Sequence, residues 1–309
     1  MSSFILPRCY MFVPEYKFNI YQIRTTMRRI LVPTDFSEEA RNAYEVALAI
    51  ARRTGAAIKL LHVVETPYYS PNFSATGDVM LGNDGMEQVY MMRLLESTKA
   101  QMTEQIKSYP TNGVEVVHEV EVDRPISKIK NTIKEDNVDL VVMGSKGSSG
   151  FDEFLIGSNT EKVVRSAECP VLTVKHRHEH FNVREIVLAS DFRREISQAM
   201  DKFKNFQQLF GARVHLVYIN TPGAFESSTN LRQKLEHTAE KYGLQNYTIN
   251  VYNDTQEEDG ILNFAKEIRA DMIMMATHGR TGFAHLLSGS IAEDLVNHTQ
   301  IPVLTVQLK

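Results

Sequence analysis

The stretch GSKGSSGFDEFLIGSN (144–159) carries the chain's most suggestive residues: Gly144, Gly147, Gly150 and Gly157, followed by Ser158 and Asn159. Glycines let the backbone turn tightly and approach a ligand without a Cβ clash. Gly157-Ser158-Asn159 reads as a helix start. There, exposed N–H groups, the helix dipole and the Ser158 hydroxyl make an anion site suited to phosphate. Upstream, an apolar run ends on Pro33-Thr34-Asp35, and Ser37 is placed as a helix N-cap. Neither common phosphate loop is present: there is no GxxxxGK[ST], and no GxGxxG follows the first apolar run. The glycines gain weight from lying between an apolar run, DLVVMG, and a helix start, and from recurring later in the chain.

Other reactive side chains have plainer readings. Ser158 and Ser290 have no His-Asp partners in sequence order, so phosphate binding or capping suits them better than nucleophilic attack. His62, ending an apolar run, reads as a satisfied structural histidine. Glu38-Glu39 and Asp152-Glu153 read as first-turn acids favoured by the helix dipole. Cys169, before Pro170, reads as a small buried hydrophobe. The Met-rich stretch 86–92 reads as a helix face packing on the sheet or on the long loop before it. His176, His178 and His180 alternate in HRHEHFNVR (176–184), but no Cys or carboxylate set completes a metal site, so a solvated linker is expected. No residue is compelled to be a catalytic base, and no metal ligand set stands out.

The elements that must position these residues follow from a repeat. Of 309 residues, 43% are hydrophobic and 23% charged, which is ordinary globular usage for about two domains. Asp35 and Asp191 are 156 positions apart, as are Gly55 and Gly211. Gly147 and Gly279 are 132 apart, as are Gly157 and Gly289, and both halves end on PVLTV. The first half therefore holds 24 extra residues, best placed in TPYYSPNFSATGDVMLGNDG (66–85), a loop composition. In each half five apolar runs alternate with helical patterns near 37–53, 86–108, 126–136 and 158–167 or their counterparts. Runs rich in Val, Ile and Leu without clean alternation predict strands buried on both faces. The fold expected is α/β: two tandem doubly wound domains, each a five-stranded parallel sheet flanked by helices. The domains are 27–175 and 184–309, with linker 176–183. Residues 1–26 stand outside as an ill-ordered extension, with Met27 the functional start.

Gly144-x2-Gly147-x9-Gly157-Ser158, the strand-one Asp35 and the closing AECPVLTV resemble the universal stress protein family over residues 27–309, in two tandem copies. The resemblance implies an ATP-binding domain of the adenine nucleotide alpha hydrolase-like type that pairs through its last strand, with both members of the pair in one chain. It places Pro33, Thr34 and Asp35 near the adenosine and Val63 against the adenine. Met143, Gly144 and Ser145 would line the ribose and phosphate path, and Gly147, Gly157, Ser158 and Asn159 would hold the phosphates, with Mg²⁺ offsetting charge. In the second half Asp191, Ile219, Gly279, Gly289 and Ser290 match, but Ala276 replaces the first glycine. If that glycine needs positive φ or phosphate contact, Ala276 costs affinity; if it sits in β space, alanine is tolerated.

The function implied is a nucleotide-responsive stress regulator or protective factor. A partner-binding scaffold that holds no nucleotide is the alternative, and a slow ATP hydrolase a weaker one. Two cysteines, Cys9 and Cys169, build no disulfide framework, so a reducing, cytoplasmic setting is expected. A net charge of -4 shows no basic excess for nucleic acid, and no stretch approaches the ~20 apolar residues of a membrane span. The partners expected are ATP and an unidentified protein, with domain pairing inside the chain or a homodimer.

Overall fold

A computed structural model describes residues 27–65, 84–145, 157–192, 197–278 and 288–308. The side chains of 84–88, 198, 278, 288–290 and 293 are not among those described. The expectations for residues 1–26, for the loop up to residue 83, and for Lys146, Gly147, Gly150, Asp152, Glu153, Gly279 and Arg280 lie outside the described residues. Of Gly289 and Ser290, only the backbone is described.

The first half runs β1 (Arg29–Pro33), α1 (Glu38–Thr54), β2 (Ala57–Val64), α2 (Asp84–Lys107), β3 (Val116–Val122), α3 (Pro125–Glu135), β4 (Leu140–Gly144), α4 (Ser158–Ser166) and β5 (Val171–Val174). The second runs β6 (Glu185–Ala189), α5 (Ser197–Phe210), β7 (Arg213–Asn220), α6 (Ser228–Lys241), β8 (Tyr247–Asn253), α7 (Glu257–Glu267), β9 (Met272–His278), α8 (Ser288–His298) and β10 (Val303–Leu308). Local chemistry explains the boundaries of α1. The Ser37 hydroxyl accepts from Ala40 N at 3.2 Å, Glu38 and Glu39 sit in the first turn, and Arg52 and Arg53 in the last. Gly55 ends the helix in the left-handed region at φ 74°, and Gly211 follows α5 at φ 65°. α3 opens on Pro125, where a missing N–H costs nothing, and buries Ile129 and Ile133.

All ten strands form one sheet, ordered β3-β2-β1-β4-β5-β10-β9-β6-β7-β8. Neighbours are parallel except β5 and β10, which pair antiparallel with Leu172 opposite Leu304. The two PVLTV copies thus meet each other. Thr173 Oγ1 donates to Val303 O at 3.2 Å, and Thr305 Oγ1 to Val171 O at 3.3 Å. Leu172 and Leu304 are fully buried at the centre of this exchange. On one face α1, α2, α5 and α6 cover an apolar layer that continues from one half into the other; on the opposite face α3, α4, α7 and α8 do the same. A second repeated contact starts the strands. Asp139 Oδ2 accepts from Arg28 N and Arg29 N, and Asp271 Oδ2 from Arg184 N and Glu185 N, at 2.7 and 3.0 Å in both cases.

Three expectations change. The linker is not simply solvated: Phe181 and Val183 are buried in the core, and the Phe181 ring stands edge-on to Phe210 at 5.6 Å. Arg53 donates to Asn182 Oδ1 at 2.8 Å and lies over the Phe210 ring. The Met-rich start of α2 does not pack down as a whole, since Val89, Tyr90 and Met92 are exposed. And β3 is an edge strand, so it lacks the two-sided burial its valines suggested. Its outer rows carry charge instead, a common protection for a sheet edge. Lys59 pairs with Glu119 and with Asp136 (2.7 Å), and Lys128 with Glu119 (2.9 Å) and Glu121 (3.7 Å).

Two predictions follow from this packing. Leu172→Ala should cost about 2–5 kcal/mol in urea unfolding, because the cavity opens at a seam both halves share. The second concerns Glu119. Burial alone would raise its carboxyl, but hydrogen bonds from Lys128 and Lys59 outweigh that and bring it from 4.5 down to about 2. A depressed carboxylate stabilises the fold above its unfolded value and loses that contribution as pH falls toward the folded one. Glu119→Gln should therefore cost about 1 kcal/mol at pH 7, after solvent screening, and nearly nothing near pH 2. Unfolding curves between those pH values measure the convergence.

Candidate functional site

In the first half the chain winds outward from β1 through β2 to β3, then returns to lay β4 and β5 on the other side. The order reverses between β1 and β4, so a crevice opens beyond their carboxyl ends. Pro33, Thr34 and Asp35 leave β1 there, Met143, Gly144 and Ser145 end β4, and Val63 lies near the end of β2.

The exit of β1 is tightly tied. Thr34 N donates to Leu61 O (2.8 Å), Phe36 N to Thr34 Oγ1 (3.2 Å), and Ser37 N to Asp35 Oδ1 (3.1 Å). Phe36 adopts φ 65°, an uncommon conformation for a bulky side chain. The exit of β4 is stitched to α4. Gly157 N donates to Ser145 O, and the buried Thr160 hydroxyl to Gly144 O, both at 2.8 Å. Gly157 is the N-cap of α4 and offers no side-chain cap, so the first turn's N–H groups gain no such partner. Ser158 is exposed beside them. The Ser145 hydroxyl, in a residue only 2% exposed, has no hydrogen-bond partner among the described residues. An unmet buried hydroxyl is costly, so its place at the β4 exit is notable.

Gly144 is required by a close approach rather than by positive φ. A Cβ there would lie 2.9 Å from Glu39 C and Cβ and 3.0 Å from Ala40 N. The first turn of α1 therefore rests directly on the end of β4. By its spacing this glycine reads as a ligand contact or a turn; its partner Glu39 is 105 positions away and carries no local signal. Thr160 was missed for a similar reason: a hydroxyl three residues after a cap reads as ordinary first-turn polarity.

The second half keeps the frame and alters the details. Ser190, Asp191 and Phe192 match Thr34, Asp35 and Phe36, with Phe192 N donating to Ser190 Oγ at 3.1 Å and φ again positive at 50°. Thr277, matching Ser145, also has a buried hydroxyl without a partner among the described residues. Ala292 replaces Thr160, so the bond that ties α4 to β4 has no counterpart. Ile219, matching Val63, is buried where Val63 is half-exposed. α7 lies against it at Gly260, where a Cβ would come within 2.5 Å of Ile219 Cγ2. Ala276 is half-buried in β9.

The remaining candidates keep structural roles. His62 Nδ1 bonds Thr34 O at 2.8 Å. Burial pushes the Cys169 thiol up to about 12, which keeps it unreactive. Burial, aided by His176, lowers His178 from its ordinary value, and its Nε2 is buried without a hydrogen-bond partner. Among the described residues no group of three or more His, Cys, Asp or Glu side chains stands ready to hold a metal, and no helix is long and apolar enough to cross a membrane.

The model of the universal stress protein family matches residues 26–175 and again 182–307. A universal stress protein of Synechocystis is 23% identical over 291 residues, which cover 90% of this chain and 99% of that protein. One of Methanocaldococcus jannaschii is 31% identical over 156 residues, 49% of this chain and 96% of its own. A crystal structure of a universal stress protein from Archaeoglobus fulgidus superposes with a TM-score of 0.67 at 21% identity, covering 90% of this chain and 98% of that one. That last likeness is one of fold.

The contact at Gly144 yields a prediction that separates the two halves. Gly144→Ala forces α1 off the end of β4 and should cost about 1–3 kcal/mol in urea unfolding. Ala276→Gly, which adds only backbone freedom, should cost about 0.5–1 kcal/mol.

Proposed function

The chain belongs to the universal stress protein family, and from that premise we propose that its first half binds ATP in the crevice between β1 and β4. The protein then serves in the cytoplasm as a nucleotide-responsive stress regulator or protective factor. One observation carries this reading: a helix N-terminus without a side-chain cap and a buried Ser145 hydroxyl with no partner among the described residues lie at the same strand exit. Both are groups that a phosphate-bearing ligand satisfies.

In this reading Pro33, Thr34 and Asp35 border the adenosine and Val63 meets the adenine. Met143, Gly144 and Ser145 line the ribose and phosphate path, while Gly147, Gly157, Ser158 and Asn159 hold the phosphates. Backbone N–H groups and neutral hydroxyls suit a triphosphate without a P-loop lysine. Mg²⁺ bound with ATP would take its ligands chiefly from phosphate oxygens and offset their charge. Asp191, Ile219, Ala276, Gly279, Gly289 and Ser290 form a second, weaker site, because Ala292 supplies no hydroxyl and Ile219 is covered by α7. The same reading divides the chain into domains at 27–175 and 184–309, joined by 176–183, with 1–26 outside both.

The test is mass spectrometry of the nucleotide released on denaturing freshly purified protein, with calorimetry of ATP binding. Gly157→Val, which crowds the α4 N-terminus, should weaken binding at least about tenfold, while Gly289→Val changes the total little. Absence of both bound nucleotide and calorimetric ATP binding would support a partner-binding scaffold. ADP accumulating over many turnovers would support an enzyme.

A further inference from the structure

The turn that carries Asp35 is held by His62 from the neighbouring strand. Thr34 O can only accept, so the His62 Nδ1 at 2.8 Å must carry the hydrogen. The imidazole also stacks on Phe36, with centroids 4.7 Å apart and planes 32° apart. Phe36 is the residue at φ 65°, and such a conformation persists only when its surroundings impose it. His62 thus grips the turn on both sides of Asp35: the carbonyl before it and the ring after it.

The second half keeps the turn but changes the grip. Tyr218 stands where His62 does, and Phe192 again has positive φ. There Lys234, from α6, donates to Asp191 O at 2.9 Å and lies 5.5 Å from the Tyr218 ring centroid. A side-chain donor thus bonds the turn in each copy, at Thr34 O in the first and one residue later, at Asp191 O, in the second.

We propose that His62 is a positioning residue for the nucleotide site: its Nδ1–H bond to Thr34 O, with its ring on Phe36, sets the place of Asp35. This rests on the ATP reading of the same crevice. The residue acts through the turn and needs no contact with the ligand.

Calorimetry of ATP binding to the full-length His62→Asn and His62→Gln variants tests it, with thermal unfolding to show that each is folded. The Asn amide can occupy the Nδ1 position and donate to Thr34 O; the Gln amide reaches the Nε2 position instead. His62→Gln should weaken ATP binding about tenfold, and His62→Asn should stay within about threefold of wild type. ¹⁵N NMR of the wild-type imidazole should show a hydrogen on His62 Nδ1. Wild-type-like binding by folded His62→Gln, His62→Asn as weak as His62→Gln, or an Nε2–H tautomer would each overturn the proposal while leaving the ATP site standing. A wild-type protein that binds no ATP would remove both.

Discussion

The antiparallel contact between β5 and β10 is the constraint on which the rest of the molecule depends. A five-stranded sheet ending on β5 would expose a row of unpaired N–H and C=O groups and the apolar faces beside them. Here the identical end of the second half covers that row, with Leu172 on Leu304 and two reciprocal threonine bonds. One ten-stranded sheet results, with apolar layers on both faces that run through its middle. The free edges are left to β3 and β8. The contact also reverses strand direction from one half to the other. The two crevices therefore open at opposite ends of the sheet.

Within that frame the two copies have diverged by small exchanges with large local effects. Gly144 lets α1 touch β4, and alanine stands in its place in the second half. Thr160 ties α4 to β4, and Ala292 cannot. Gly260 lets α7 settle onto Ile219, where the first half has Lys128 engaged with Glu119 and Glu121. Each exchange alters how closely a helix approaches a strand exit. Such approaches shape the crevices more than the strands do, because the strand registers are the same in both halves while the helix contacts are not.

The fold was legible in the chain because its signals are local or repeated. The apolar runs lie within a few residues of the observed strands, and Ser37 and Gly55 bound α1 as their chemistry predicts. The linker was less legible. HRHEHFNVR looks polar by composition, yet Phe181 and Val183 are buried in the core, and Phe181 meets Phe210, which lies on a helix of the second half. The Met-rich start of α2 was expected to pack on the sheet or on the loop before it; Val89, Tyr90 and Met92 are exposed, and that loop lies outside the described residues. Valines in β3 suggested burial on both faces, but position in a sheet is decided by crossovers, not by the strand's own residues, and β3 lies at an edge.

The candidate site divides in the same way. By itself the sequence determined that there are two copies of one α/β unit, where their strands end, and which glycines and acids stand at those ends. Hydrophobic periodicity and a shifted repeat are properties of the chain read in order. Only the tertiary structure decided why Gly144 is a glycine, that Thr160 and His62 are bonded to strand-exit carbonyls, and that the Ser145 hydroxyl is buried without a partner among the described residues. Those facts depend on atoms tens of residues apart, brought within about 3 Å by sheet order and helix packing, and no local pattern encodes such a distance.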